Sequence, residues 1–168
     1  MTDGGVIWLA TILGFAIMMS WAAYDDARSF TIPNKLPLGI AILYPAYVIA
    51  APMPVDWSAA LAVAAILFLV GFVLFICRAL GGGDAKLLAA SSLWAGPSLL
   101  PDFLLVTALA GGGIVLVMWL QHRVSRATVL GELFTRPIDQ DFGKRPMPYG
   151  VALCMGGLYT AFTIVGLG

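Results

Sequence analysis

Hydrophobic residues form long runs along this chain of 168 residues, and short polar or Pro- and Gly-containing stretches separate the runs. A helix needs about 20 apolar residues to cross the hydrocarbon core of a bilayer. The six runs cover roughly residues 5–24, 36–51, 58–79, 86–100, 101–120 and 149–167. The pattern predicts an all-α fold, a polytopic bundle of about six transmembrane helices, as a single integral membrane domain over residues 1–168.

The composition supports a membrane location. Hydrophobic residues make up 61% of the chain and charged residues 11%, which would leave a soluble domain with too little polar surface. The net charge is zero and no basic stretch is interleaved with aromatic residues, so we expect no nucleic-acid partner. Because residues 1–5 contain Asp3 and no Lys or Arg, we expect the first run to be retained and not cleaved as a signal peptide.

The positions of the basic residues predict the orientation. All nine Lys and Arg residues fall in the loops near 25–35, 78–86 and 121–148 or at the helix ends that face them. The two termini and the turns at 52–57 and 96–102 carry none. Cytoplasmic loops are enriched in Lys and Arg, so the three basic loops are expected on the cytoplasmic side and both termini on the periplasmic side.

Two segments leave alternatives open. The run at 86–100 is short and contains Gly96 and Pro97, so its length alone would also allow a re-entrant segment. That topology would move the basic residues of 121–148 to the outer side, and we therefore predict that the run crosses. The 121–148 loop could form a surface-lying amphipathic helix, but we favour a connector that rests on the membrane. We expect the polar side chains in that loop to be solvated, namely His122, Glu132, Asp139 and Asp141.

The first acidic site lies in residues 24–36, directly after the first run. Pro33 disfavours a helical conformation at Ile32 and can begin the next helix. The sequence therefore predicts that Asp25 and Asp26 lie at the end of the first helix, at the membrane interface.

The second acidic site is Gly81-Gly82-Gly83-Asp84, between the third and fourth runs. Three glycines break a helix and let another backbone approach closely. Asp84 is then expected at a helix start, where the helix dipole favours a carboxylate. The spacing does not match a phosphate-binding loop. We expect Lys86 to mark the cytoplasmic boundary or to pair with a nearby carboxylate.

The orientation places Asp26 and Asp84 on the same, cytoplasmic side of the membrane. Two carboxylates that meet near lipid cannot comfortably both ionise, so such a pair is expected to share one proton. One carboxylate could then take a proton from an attacking water while the other protonates the carbonyl oxygen and later the leaving amine. This chemistry needs no metal, cofactor or nucleophilic side chain.

Each feature also has a purely structural interpretation as a helix cap, a turn or a flexible hinge. Two other classes of protein remain open: a small proton-coupled transporter or channel, and a non-enzymatic assembly subunit. A transporter should carry ionisable groups near the bilayer midplane and show paired halves. This chain carries them at one face, and an assembly subunit would leave the two aspartates without a role.

The two sites together resemble those of the prepilin peptidases, or type IV leader peptidases, which are membrane aspartic proteases with a GxGD motif. The stretch from Gly81 to Leu87 matches GxGD followed by Lys-Leu, and Asp26 with Ile32-Pro33-Asn34 is similar to the first family site. In the family the catalytic aspartate precedes the proline by seven residues, which selects Asp26 over Asp25. The Pro148-Tyr149-Gly150 stretch before the last run is also similar.

The resemblance implies that Asp26 and Asp84 are catalytic and that the enzyme cleaves the leader from a type IV prepilin at the cytoplasmic face of the bacterial inner membrane. The substrate would itself be a membrane protein, whose helix docks beside the enzyme in the lipid bilayer. The chain begins almost directly with the first run, as in the short form of Flp-type, tight-adherence pilus systems, which lacks the N-methyltransferase region. We expect the leader to contact the motif residues Pro33, Asn34, Gly81, Gly82, Gly83 and Lys86.

Overall fold

A computed structural model describes residues 3–127 and 149–167. Over these residues the chain forms five helices and no strand, which confirms the predicted all-α fold. The helices are α1 (Asp3–Ser29), α2 (Lys35–Ala50), α3 (Trp57–Ile76), α4 (Gly82–Ala127) and α5 (Tyr149–Leu167). Helix α4 continues into the first residues of the predicted 121–148 loop. The rest of that loop, with Glu132, Asp139, Asp141 and Pro148, lies outside the described residues.

The helices have the length and exposed surface of a multi-pass membrane protein. Four of them, α1, α3, α4 and α5, contain windows long and apolar enough to cross a bilayer. Helix α2 is also apolar but has only 16 residues. Large apolar side chains such as Leu69 and Ile76 lie exposed on the outside of the bundle, which suits lipid as the surrounding solvent.

Helix α4 contains a break that divides it into two arms. At Gly96 the backbone has a φ of 56° and a ψ of −173°, which is not helical and falls in a region that favours glycine. Pro97 follows directly and has no backbone N–H, so it cannot continue the hydrogen-bond ladder. The first arm thus ends at Gly96, inside the run at 86–100 whose length alone allows either a membrane crossing or a re-entrant segment.

The contacts of the two arms show that α4 doubles back at this break. Gly71 of α3 lies against Ala85, and Gly96 faces Ala60, so the first arm runs antiparallel to α3. The second arm runs antiparallel to α5, because Phe103 lies against Gly156 and Ala152 against Gly111. The runs at 86–100 and 101–120 therefore form a helical hairpin. The arrangement is compatible with six membrane crossings, a number that stays a prediction.

Small residues let the helices approach closely, as is usual where lipid leaves no hydrophobic driving force between helices. A Cβ at Gly14 would lie 3.0 Å from Leu43, and one at Gly39 would lie 3.2 Å from Met18, so α1 and α2 pack antiparallel through glycines. The core also contains an aromatic stack between α1 and the first arm of α4. Phe15 and Trp94 lie 4.5 Å apart with their rings 7° from parallel.

Two helices that end at the same side of the bundle stop in a left-handed conformation without glycine. Phe30 follows α1 with a φ of 51°, and Arg78 follows α3 with a φ of 59°. The N–H of Arg78 bonds to the carbonyl of Phe75, and the N–H of Ala79 bonds to that of Leu74. This pattern is a Schellman motif, in which glycine is the usual residue at the position of Arg78. The ends of α1 and α3 lead directly into the two acidic motifs.

Candidate active site

Asp26 lies in the last turn of α1, as the sequence predicts, and its side chain is only 3% exposed. Its Oδ2 atom accepts a hydrogen bond of 2.7 Å from the backbone N–H of Gly150, and the N–H of Val151 also points to the carboxyl group. The first N–H groups of a helix have no partner within the helix, so the start of α5 is a natural site for a carboxylate. Helix α5 thus holds the carboxyl group of Asp26 in place.

Asp84 lies in the first turn of α4 and is 7% exposed. The backbone N–H of Gly81 donates a hydrogen bond to its carboxyl group. The Oδ1 atom is buried and has no hydrogen-bond partner among residues 3–127 and 149–167. Buried polar atoms are rarely left without a partner. The described residues thus leave this buried acceptor oxygen unsatisfied.

The two carboxyl groups lie close enough for the charge of Asp26 to act on Asp84. Ile32 packs beside both of them. A Cβ at Gly83, next to Asp84, would lie 3.0 Å from the Cβ of Ile32, and a Cβ at Gly150 would lie 2.9 Å from its Cδ1. The end of α1, the start of α4 and the start of α5 thus meet around the side chain of Ile32, which is 8% exposed.

The neighbouring aspartate differs from Asp26 in its surroundings. The side chain of Asp25 is only partly buried, and its backbone carbonyl accepts a hydrogen bond of 2.8 Å from the hydroxyl of Ser29. Asp26 points into the bundle toward α5, whereas Asp25 lies on another face of α1. The structure therefore brings Asp26, and not Asp25, together with Asp84.

The two motifs are also joined by a polar contact outside the carboxyl pair. The Nζ atom of Lys86 donates a hydrogen bond of 2.9 Å to the Oδ1 atom of Asn34, the residue that directly precedes α2. The sequence predicts that Lys86 marks the cytoplasmic boundary or pairs with a carboxylate. Its partner among the described residues is an amide, and its place at the boundary stays a prediction. Both side chains are exposed.

The remaining motif residues differ in how open they are. Pro33 and Gly81 are exposed. A Cβ at Gly82 would lie 3.2 Å from the ring of Phe75, and Gly83 lies against Ile32, so other parts of the chain occupy the space beside these two glycines. The close approach expected at the glycines is thus made by the protein's own side chains.

Sequence reasoning did not assign a role to Gly150 or to Ile32. Gly150 lies 124 residues from the carboxylate that it contacts, and a backbone N–H leaves no side-chain signal in a sequence. The signal in the sequence is the glycine itself, because a Cβ at this position would lie 2.9 Å from both the Cβ and the Oδ2 of Asp26.

Comparison with known proteins identifies the family of this chain. No curated protein and no solved structure matches the chain. The model of the type IV leader peptidase family matches residues 12–116, a stretch that contains both aspartates and both motifs, whereas α5 lies beyond it. The match covers more than half of the chain and confirms the resemblance of the two motifs. The chain therefore belongs to the type IV leader peptidase family, which implies a leader peptidase-like protease with a prepilin-like substrate.

Proposed function

We propose that this protein is an aspartic endopeptidase that removes the leader peptide from a type IV prepilin, of the Flp type, at the cytoplasmic face of the bacterial inner membrane. Asp26 and Asp84 form the catalytic pair. One observation carries the proposal: two carboxyl groups from separate helices, each less than a tenth exposed, lie close enough to interact. Two such groups in a poorly solvated site favour a state with one shared proton.

The pair can perform both proton transfers of peptide hydrolysis. The ionised carboxylate takes a proton from water as the water oxygen attacks the scissile carbonyl carbon, and the protonated carboxyl gives its proton to the carbonyl oxygen. The resulting gem-diol collapses when the carboxylate that gave its proton takes one from a gem-diol hydroxyl, the C–N bond breaks, and the leaving nitrogen takes up the proton held by the other carboxyl group. The Oδ2 atom of Asp26 accepts a hydrogen bond from Gly150, whereas the Oδ1 atom of Asp84 has no partner among the described residues. This difference between the two carboxyl groups supports different roles in the proton transfers.

The orientation of the site follows from charge. The carboxyl pair lies at the end of the bundle where α1 and α3 finish and α4 begins. The basic residues at the same end are Arg28, Lys35 and Lys86, in the terminal turns of α1, α2 and α4, and Arg78 in the loop after α3. Basic loops remain on the cytoplasmic side. A leader that precedes the hydrophobic helix of a substrate would meet the pair on that side.

An apolar groove beside Asp26 is the proposed position of the substrate's hydrophobic helix. This groove, here called the Asp26-side groove, has a volume of about 610 Å³. Its lining includes Ala27 and Phe30 from the end of α1, Gly113 and Val117 from α4, and Val151 from α5. Ala27 and Val151 are direct neighbours of Asp26 and Gly150, so a helix in this groove would present its cytoplasmic end to the carboxyl pair.

The exposed motif residues are the proposed contacts of the extended leader. Pro33, Gly81 and the Lys86–Asn34 pair lie exposed at the same end of the bundle as the carboxyl groups. Gly82 and Gly83 are proposed to act through packing, because Phe75 and Ile32 occupy the space beside them.

Single substitutions in the pair test the proposal. Asp26→Asn and Asp84→Asn each keep the size of the side chain, but an amide can neither take the proton from water nor give one to the carbonyl oxygen. We expect either variant to abolish cleavage of a co-expressed Flp-type prepilin, while the protein still accumulates in the membrane. Cleavage is measured as the decrease in prepilin size on a gel.

The matched control is Asp25→Asn, which changes the neighbouring acid and is expected to retain substantial cleavage. Normal processing by Asp26→Asn or Asp84→Asn would refute the catalytic assignment. Loss of cleavage in Asp25→Asn alone would move the first catalytic role one residue upstream.

A further inference from the structure

The end of the bundle opposite the carboxyl pair contains a second cavity, here called the aromatic cavity. It has a volume of about 420 Å³, within the usual range for small-ligand sites. Four aromatic side chains line it: Trp8, Tyr44, Tyr47 and Trp94. The three inner rings touch one another, with Tyr47 5.0 Å and Tyr44 5.9 Å from Trp94 between ring centroids. Aromatic side chains commonly gather at the level of the lipid head groups.

One polar atom in this aromatic wall lacks a partner. Tyr44 is only 5% exposed, and its hydroxyl is buried with no hydrogen-bond partner among residues 3–127 and 149–167. A buried tyrosine hydroxyl usually finds a partner. Because Tyr44 lines the cavity, a ligand with a hydrogen-bond donor could supply it.

The carboxylate of Asp56 gives the cavity a negative charge. Asp56 lies at its rim, and the charge of this carboxylate acts on the hydroxyl of Tyr44. The N–H of Ala59 and the hydroxyl of Ser58 bond to Asp56 and lower the pKa of its carboxyl group, so it is ionised at neutral pH. An ionised carboxylate at the rim favours a cation inside.

The break in α4 adds negative partial charge to the cavity wall. The first arm of α4 ends in the cavity wall at Gly96, and a helix C-terminus carries a partial negative charge. Pro97 has no N–H, so the carbonyl of Leu93 lacks the donor that a continuous helix would provide four residues later. Leu93, Gly96 and Pro97 all line the cavity.

Among the described residues, the lining of the cavity contains no Lys or Arg, and the sequence has none at 51–56 or 96–102. These residues therefore do not balance the negative charge of Asp56. Aromatic faces together with a carboxylate are the combination that binds organic ammonium groups through cation–π and charge interactions. A small metal ion would instead prefer a cluster of oxygen ligands to aromatic walls.

We propose that the aromatic cavity binds an alkylammonium group, either from the ethanolamine head group of a phospholipid or from a soluble amine of the same chemistry. This site is separate from the carboxyl pair and does not depend on the proposed protease mechanism.

The first experiment compares two probes of the same shape and different charge. Choline and its neutral analogue 3,3-dimethylbutan-1-ol are titrated onto the purified full chain in a nonionic detergent, and binding is measured by calorimetry. We expect choline to bind at least about tenfold more tightly, because only the cation gains from aromatic faces and a carboxylate. Equal affinity for the two probes would overturn the proposal.

Two matched variants locate the site. Asp56→Asn removes the charge and keeps a residue that caps a helix well, so the fold is retained. We expect it to weaken choline binding about three- to fivefold, as for an exposed charge pair. Asp102→Asn removes an exposed acid that does not line the cavity and should leave binding unchanged. An equal loss in both variants would overturn the assignment to this cavity.

The second experiment identifies the source of the ammonium group. The protein is reconstituted in nanodiscs that contain phosphatidylethanolamine and phosphatidylglycerol, and the lipids retained after release are counted by native mass spectrometry. Preferential retention of phosphatidylethanolamine, reduced by Asp56→Asn, supports a lipid ligand. Choline binding without such retention supports a soluble amine, and the absence of both effects overturns the proposal.

Discussion

The ammonium group of Lys86 donates a hydrogen bond of 2.9 Å to the side-chain oxygen of Asn34, which joins the first turn of α4 to the start of α2. Asp84 lies two residues before Lys86, and Asp26 lies eight residues before Asn34. The bond therefore links the two segments that carry the carboxyl pair. It is a local restraint on how close the two groups stay.

Breaking this bond should slow cleavage without abolishing it. We expect Lys86→Met and Asn34→Ala each to lower the rate of prepilin cleavage by about three- to tenfold, because the bond involves a charged donor but is exposed to solvent. The double variant should be no slower than either single variant, since the two side chains are proposed to contact the leader only as a bonded pair, and all three variants lose that pair. The rates are compared in membranes with equal amounts of protein.

The same cycle distinguishes one bonded pair from two independent contacts with the leader. If Lys86 and Asn34 each contact the leader independently, the effects of the two substitutions will multiply in the double variant. Lys35→Met, which removes a neighbouring exposed cation, is the control and should cleave at close to the rate of the unmodified protein.

Gly150 is expected to be essential for the geometry of the pair. A Cβ in Gly150→Ala would lie 2.9 Å from the Cβ and Oδ2 of Asp26 and from Ile32, so the carboxyl group has to move. A displacement of about 1 Å can cost about a hundredfold in rate, and we expect a loss of about tenfold to hundredfold in prepilin cleavage.

The control for this substitution lies on the same helix. A Cβ at Gly166 would lie more than 4 Å from residues 3–127 and from the rest of α5, so Gly166→Ala adds the same atom to α5 without a collision there. Full activity in Gly150→Ala would contradict the role of the α5 start in holding Asp26.

Local signals explain why much of the site could be predicted from the sequence. Pro33 restricts the backbone over a few residues, and α1 ends shortly before it. The glycines mark the start of α4 less sharply than expected, because α3 already ends at Ile76 and Gly82 and Gly83 lie inside α4. Counting helical runs and basic loops predicts only that Asp26 and Asp84 lie on the same side of the membrane. The choice between Asp25 and Asp26 depended on the family spacing, and the burial of Asp26 agrees with that choice.

Contacts between distant segments could not be predicted in this way. The bond between Gly150 and Asp26 depends on how α5 packs against α1, and the partner of Lys86 depends on how α4 meets α2. The hairpin in α4 is an intermediate case. Gly96 and Pro97 signal a break, but only the contacts of each arm give its direction.

Two adjacent glycines in α4 test where the substrate helix lies. Gly113 lines the Asp26-side groove, and Gly112 lines a smaller groove of about 350 Å³ on the other side, beside Leu80 and Tyr149. A Cβ at either glycine would meet no described residue within 4 Å, so within that part of the chain both can be enlarged without a collision at the Cβ. We expect Gly113→Leu to inhibit prepilin cleavage about tenfold or more, because it fills space that a docked helix needs.

Gly112→Leu makes the same change one residue away and should cleave at nearly the normal rate. The opposite result, with Gly112→Leu inactive and Gly113→Leu active, would place the substrate helix on the Asp84 side. Cross-linking from a cysteine at each position to the prepilin helix gives a second readout, in a background where Cys77 and Cys154 are replaced by Ser.

The end of α3 should become more stable when glycine replaces arginine. Arg78 has a φ of 59° in a Schellman motif, a conformation that costs a residue with a Cβ about 1–2 kcal/mol. Glycine removes this cost but adds about 0.4–1 kcal/mol of chain entropy to the unfolded state. We therefore expect Arg78→Gly to stabilise the protein by about 0.5–1 kcal/mol, measured by unfolding in mixed detergent micelles. Arg78→Ala keeps the Cβ and the strained conformation, so its free energy of unfolding should stay within about 0.5 kcal/mol of the unmodified protein. If the alanine variant were as stable as the glycine variant, the gain would come from removing the arginine side chain and not from the backbone.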